Sequence, residues 1–475
     1  MSVAPADATS RQGGAGQKIN RGSWSWALFE WARNPWVLLG DIYVFAPYVA
    51  SVVIGDPVRG QAIIAGWHTI SGMIIALSAP FIGAASDRMG RRKPLLALCI
   101  GTLALGIGLR WFALPNEAGL TLWAIGLCTV MSGIAFVYTE VLHNSLLTRA
   151  APPSMLSRVS GMGLALGNAA SVLLLLFVLI TMALPGQVAL PFIPEAPLFG
   201  LDPAAHEPNR AVTLLCAAWL VLFSIPLFLY TRDLTTTGER FGDAMRHGVG
   251  NVIRTIRKLR DYGNVALYLI ARMLYADGKT AILLFSGVYA SGVMGWGLLE
   301  MLCYGITLSI FAVFGGVLSG WLDHAVGLKR AVVIEIAATT ACLVFMVSMS
   351  PTTMFFMPVT PDVPVWNSPF FATGPELAYL GFAIIIAISI TAAYGSSRAL
   401  MAHLAPAGME GEVFGLYALS GSATAFLAPA LVAYFTTAYH SLRAGFASIA
   451  ILLLAGLILL LFVKPPPHVS RDETA

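Results

Sequence analysis

Hydrophobic residues in this chain come in long, nearly unbroken runs rather than the short alternations of a soluble fold. Twelve stretches fall near residues 28–54, 61–85, 94–114, 119–146, 159–184, 211–230, 263–288, 295–321, 331–349, 375–402, 412–436 and 444–463. Each matches the ~20 apolar residues that a helix needs to cross a bilayer. The gaps between them are short, with one exception. Residues 231–262 form the longest polar run and carry seven basic side chains, dividing the stretches six and six. The pattern predicts an all-α integral membrane protein of twelve transmembrane helices. Its expected parts are a disordered tail over 1–22, six-helix bundles over 23–230 and 263–463, a linker over 231–262 and a tail over 464–475.

Composition agrees with this pattern. Of 475 residues, 57% are hydrophobic and 11% charged, a balance foreign to soluble domains. Charge distribution sets the expected orientation, because Lys and Arg concentrate in cytoplasmic loops. With the N-terminus in the cytoplasm, 20 of the 28 basic residues fall on that side, three (Arg59, Arg210, Arg443) on the other, and five within spans. Both termini are therefore expected in the cytoplasm. The first residues lack the apolar core and cleavage site of a secretory signal. All five cysteines lie in apolar spans, which favours small buried hydrophobes over a disulfide framework or a metal site. In the linker, Phe241, Met245, Val249, Val252, Ile253, Ile256 and Leu259 recur at helical spacing opposite basic residues. That is the design of a helix lying on an anionic leaflet.

The two halves repeat one another. G-A-A-S-D-R-M-G-R-R-K over Gly83–Lys93 has a counterpart in S-G-W-L-D-H-A-V-G-L-K-R over Ser319–Arg330, each between two apolar spans. A shift of 236 aligns Asp87 with Asp323 and Asp41 with Asp277, and a shift of 254 aligns Asn144 with Arg398. An Asp, a Gly turn and a basic cluster repeated in this way resemble the major facilitator superfamily. That resemblance implies two pseudo-symmetric six-helix bundles with a substrate site between them. It also implies a cytoplasmic latch of Gly83, Asp87, Arg88, Gly90, Arg91 and Asp323, in which a carboxylate after helix 2 or 8 holds the N-terminus of a helix from the other half. The second copy has Ser319 at the first Gly position and its turn Gly at Gly327, so its latch is expected to be weaker.

Ionisable groups inside a bilayer are expensive, so they face a cavity or each other. Helix 1 carries Glu30, Arg33, Asn34 and Asp41; helix 2 His68; helix 4 Glu140, His143 and Asn144; helix 7 Arg272, Tyr275, Asp277 and Lys279; helix 8 Glu300; helix 10 Arg398. Helical spacing puts Glu30, Asn34 and Asp41 on one stripe, Glu140 and Asn144 on another, and Arg272, Tyr275 and Lys279 on a third. Bland readings compete with functional ones. Glu30 and Arg33 suit an interfacial ion pair, Arg110 a side chain snorkelling from the outer end of helix 3, Glu335 a gate or structural pair, and His68 a hydrogen-bonded core residue. A carboxylate in a low-dielectric cavity can exchange a proton near neutral pH, the basis for expecting proton coupling through Asp41, Glu140 or Asp277. Sodium, which needs a cluster of oxygen ligands, is the weaker option.

Further strings narrow the resemblance. W-A-L-F-E-W-A from Trp26, A-L-S-A-P-F-I-G-A-A-S-D-R from Ala76, L-Y-A-D-G-K-T from Leu274, and S-R-A-L-M-A-H-L-A-P with F-G-L-Y-A-L over Ser397–Leu419 are similar to the branch of autophagy-related vacuolar effluxers and their bacterial relatives. This implies a transporter, with amino acid export as the role of eukaryotic members and a bacterial inner membrane as the location. The expected activity is secondary active transport of a small polar, amino-acid-like or charged solute by alternating access. Arg272, Lys279 and Arg398 would bind an anionic group, and Asn34, Asn144 and Tyr275 would supply hydrogen bonds. A sugar carrier and a transport-dead assembly factor or receptor are the alternatives. No enzymatic motif is present, no cofactor or nucleic acid is expected, and the protein is expected to act as a monomer in the bilayer.

Overall fold

The computed structural model describes residues 19–89, 91–152, 155–187, 193–233, 257, 262–360, 364–368, 370–406 and 410–464. The amphipathic stretch of the linker apart from residue 257, and all but the inner edges of the two tails, lie outside the described residues. Helices run α1 Arg21–Val53, α2 Pro57–Met89, α3 Lys93–Leu109, α4 Leu122–Ala150, α5 Leu156–Val178, α6 Glu207–Tyr230, α7 Gly263–Met294, α8 Leu298–Val326, α9 Leu328–Val347 and α10 Gly374–Leu404. Next comes α11, in two pieces, α11a Glu410–Ala423 and α11b Leu427–Tyr439, and then α12 Leu442–Phe462. A short hairpin, β1 Thr353–Met354 with β2 Met357–Pro358, lies in the long loop before α10.

Eleven candidate spans among the described residues are long and apolar enough to cross a membrane. The remaining pass, α7, has 32 residues, about 48 Å at 1.5 Å per residue, and carries Arg272, Asp277 and Lys279 near its middle. Local signals explain the helix ends. Asn20 Oδ1 accepts the Ser23 N–H at 2.8 Å, so α1 begins inside the stretch expected to be tail. Thr373 and Glu376 form a reciprocal capping box on α10. The Gly297 N–H donates to Glu300 Oε2 at 3.0 Å, so Glu300 caps the start of α8. Gly327, with φ of 86°, makes the left-handed turn from α8 to α9, at the position of the displaced turn glycine. Two wide turns in α1, Val37–Tyr43 and Val49–Val53, accompany Pro35 and Pro47, whose missing N–H groups break the regular ladder.

The two halves pack alike. In the first, α1 packs on α5 and α6, α4 on α2 and α3, and α3 on α6; in the second, α7 packs on α11 and α12, α10 on α8 and α9, and α9 on α12. Contacts between halves, α2 with α11 and α5 with α8, exchange under the same relation. Two arginines repeat it in detail. Arg210 at the start of α6 donates to the Trp111 carbonyl at 3.1 Å, and Arg443 at the start of α12 donates to the Met349 carbonyl at 3.2 Å.

This symmetry corrects one alignment. Tyr48 of α1 stands beside Arg210, and Tyr289 of α7 beside Arg443; on that register Asp41 corresponds to Ile282, not to Asp277. The equal spacing of the two acids from their loop motifs is a coincidence of sequence. We call the face where α1 begins and α12 ends the terminus side. Toward the opposite, far side, α1 crosses α7 so closely that a side chain on Gly287 would overlap the Ile42 carbonyl oxygen. Tyr43 packs edge-on to Tyr304 there, with ring centroids 5.6 Å apart.

Candidate functional site

The polar stripe of α7 is buried against α10 and α11a. Arg272 donates to the Tyr417 carbonyl at 2.6 Å and to Ser420 Oγ, and its guanidinium lies 3.5 Å from the Tyr417 ring centroid. The Tyr275 hydroxyl meets Ser397 Oγ at 2.9 Å, and Tyr268 donates to the Ser397 carbonyl at 2.6 Å. One turn on, Lys279 is 1% exposed, with its ammonium 4.0 Å from the Tyr394 ring centroid. A desolvated cation over an aromatic face gains about 2 kcal/mol. Tyr394 itself is 42% exposed, so its ring stands between the buried ammonium and open space.

In the first half a second network joins α1 to α4. Arg33, 6% exposed, reaches Glu30 Oε2 at 3.1 Å and Glu140 Oε2 at 3.2 Å, and lies 4.5 Å from the Phe136 ring centroid. His143 Nδ1 is 3.3 Å from Glu30 Oε1, while its ring stacks on Trp26 and its Nε2 meets the Trp26 carbonyl at 2.8 Å. Glu140 is 47% exposed and lies within electrostatic reach of Tyr394 in the other half.

The exposed positions on the two halves correspond. Glu140 and Asn144 of α4, and Tyr394 and Arg398 of α10, are exposed pairs one turn apart, and the shift of 254 superposes both. One half therefore offers an acid and an amide, the other a ring over an ammonium and a guanidinium. This opposition is the candidate site.

Other expected residues have different tasks. Asp41 Oδ1 lies 3.8 Å from Arg110 Nη1. Arg110 is 2% exposed, its guanidinium 4.7 Å from the Trp36 ring centroid and its Nη2 donating to the Cys128 carbonyl at 3.1 Å. It is a buried ion-pair partner and does not snorkel. His68 of α2 packs edge-on to Phe285 of α7, at 6.2 Å between rings, on the seam between the halves. Asn34 packs against Gly167 of α5. Asp277 Oδ2 accepts the Ala428 N–H at 2.9 Å, in the first turn of α11b.

The expected latch is corrected where it is described. Asp323 lies inside α8 and neighbours Ser396 of α10, in its own half, not a helix of the other one. Arg91 is exposed; Gly90 and the side chains at 83–89 lie outside the description. The carboxylate that does hold a helix start here was missed. Asp233, just after α6, accepts the N–H groups of Arg92 and Lys93 at 3.0 and 3.1 Å, capping α3. An Asp three residues past a span, at the start of the most basic loop, was the available signal.

A family model of vacuole effluxer Atg22-like proteins matches residues 148–466. The chain belongs to this family. It is 22% identical over 451 residues to the MFS-type transporter YxiO of Bacillus subtilis, covering 94% of this chain and 95% of that one. It is 23% identical over 268 residues to autophagy-related protein 22-1 of Neosartorya fischeri, covering 54% of this chain and 42% of that protein. The match thus spans half or less of the fungal relatives' length. Among solved structures, the nucleoside transporter NupG superposes with a TM-score of 0.61 at 10% identity, covering 93% of this chain and 98% of that one. A D-xylose-proton symporter superposes with a TM-score of 0.60 at 12% identity, covering 94% and 97%. These place the fold among major facilitator transporters. The Atg22-like protein is a multi-pass membrane transporter, and its relatives are transporters, not enzymes.

Proposed function

We propose that this Atg22-like protein is a secondary active transporter of a small zwitterionic or charged solute, amino-acid-like in size, driven by a proton gradient. The observation that carries this is the opposition of Glu140 in one half to Lys279, behind Tyr394, in the other. Binding a solute with both an amino and an acidic group draws the halves together, with the acid taking the cationic end and Lys279 and Arg398 the anionic end. Tyr394 moves off the Lys279 ammonium when the solute arrives. Alternating access follows from rocking about the close α1–α7 crossing, with the terminus side cytoplasmic, as the basic loops indicate. Glu140, exposed yet paired to Arg33, is the carboxylate best placed to exchange a proton with the open space. Asp277, committed to α11b, and Asp41, committed to Arg110, act through position.

Ligand-dependent thermal stabilisation of the purified protein tests this reading, because a ligand of the native state raises its melting temperature. A panel of amino acids, organic acids and sugars is expected to yield stabilisation by charged or zwitterionic members, abolished in Lys279→Met. Stabilisation by a neutral sugar, unaffected by Lys279→Met and Glu140→Gln, contradicts it.

A further inference from the structure

Three residues of the second half, outside the candidate site, form a chain that neither packing nor substrate binding explains. Glu335 of α9 is 2% exposed; its Oε1 accepts the Ser396 hydroxyl at 2.9 Å, and its Oε2 is buried without a hydrogen-bond partner. Ser396 of α10 is fully buried. On its other side stands Asp323 of α8, half-buried on the terminus side of the membrane, with its Oδ1 also buried and unpartnered. Ser396 donates its one hydroxyl proton to Glu335 and lies beside Asp323, between the two carboxylates. The charged groups bearing on them are Lys279 of α7, acting on Glu335, and His403 of α10, acting on Asp323. Lys329, at the start of α9, is turned away onto the Leu461 carbonyl at 2.7 Å.

A buried carboxylate with an unsatisfied oxygen is costly, and two that are neighbours cannot both stay ionised cheaply. One proton on the pair removes a charge and supplies the missing donor. We propose that Asp323, Ser396 and Glu335 form a proton relay linking the terminus side to the buried Lys279. When Asp323 is the acid, its O–H donates to Ser396 Oγ while Ser396 donates to Glu335 Oε1. Transfer moves the Asp323 proton onto Ser396 Oγ as the Ser396 proton passes to Glu335. Asp323 is left as the carboxylate, Glu335 becomes the neutral acid, and the serine is regenerated. Water on the terminus side then reprotonates Asp323. With Glu335 neutral, Lys279 loses the attraction of that carboxylate and is free to meet an anionic solute; with Glu335 ionised, the attraction competes with the solute. The relay rests on the transport reading for its purpose but not for its existence.

The existence test therefore needs no substrate. Infrared difference spectra of the purified full chain, collected from mildly acidic to mildly alkaline pH, report protonated buried carboxyls directly. A protonated-carboxyl band is expected in the wild type, lost in Glu335→Gln and shifted in Ser396→Ala and Asp323→Asn. No such band in the wild type, or a band unchanged in all three variants, overturns the relay whether or not the variants fold. A second measurement tests its purpose. For any solute the protein carries, Glu335→Gln is expected to keep solute exchange within about twofold while losing at least tenfold of accumulation driven by a proton gradient. Equal loss of both, with the carboxyl band present in the wild type, overturns the coupling role and leaves the proton site standing.

Discussion

The Asp277 carboxylate accepts the backbone N–H of Ala428 at 2.9 Å, across from one helix to the start of a second. The break before α11b leaves first-turn N–H groups without helical partners, and Thr424 adds a second tie, its hydroxyl donating to the Met273 carbonyl at 3.1 Å. Asp277 is 4% exposed, so the cap is shielded from water and from salt. Removing it in Asp277→Ala is expected to cost about 2 kcal/mol, from a lost cap and a lost charge at a helix start. Asp277→Asn, which keeps an acceptor oxygen, is expected to cost under ~1 kcal/mol. Unfolding in detergent measures both, and equal losses would show that the hydrogen bond is not what matters.

How much of this was legible in the sequence depends on the kind of signal. The spans were legible because bilayer crossing imposes long apolar runs; α7, whose three charges leave it short of that measure, is the exception among the twelve passes. The correspondence of Asn144 with Arg398 was legible too, since the motif at Pro152 and Pro406 fixed its register. The break in α11 was not, because apolar content continues through it; Pro429, in the first turn of α11b, was the clue. Partners were least legible. Nothing in spacing says that Arg110 turns inward to Asp41 or that Ser396 lies between two acids, because those contacts are set by how α3 and α10 pack.

Arg33 holds two acids at once. Arg33→Leu leaves Glu30 and Glu140 facing each other without a cation, with an expected loss of about 2–4 kcal/mol, toward the low end for a buried pair because Glu140 is half exposed. The triple change Arg33→Leu, Glu30→Gln, Glu140→Gln is expected to recover most of that stability but not transport. Thermal unfolding of the single and triple variants separates the two effects.

The Asp41–Arg110 pair should behave as a unit. Arg110→Met alone is expected to destabilise by about 3 kcal/mol, and Asp41→Asn in the same chain to restore at least ~1 kcal/mol of it. A double-mutant cycle in detergent measures the coupling; simple additivity would mean that the 3.8 Å separation carries no interaction.

The far-side seal depends on Gly287. Any side chain there meets the Ile42 carbonyl oxygen, so Gly287→Ala is expected to hold α1 and α7 apart. The expected result is far-side labelling of a cysteine placed at Tyr43 at least tenfold faster than in the Gly287 parent, with transport lost. Unchanged labelling would show that the crossing adjusts without opening.

The account centres on a charged solute held between Glu140 and Lys279, and flux measures that directly. Proteoliposomes holding the wild type, Glu140→Gln or Lys279→Met would be given a mixed pool of amino acids, organic acids and sugars, with and without a proton gradient. The account predicts gradient-dependent accumulation of a charged or zwitterionic solute by the wild type, with Lys279→Met losing binding and Glu140→Gln losing accumulation. Gradient-independent flux of a neutral sugar, equal in all three proteins, would contradict it.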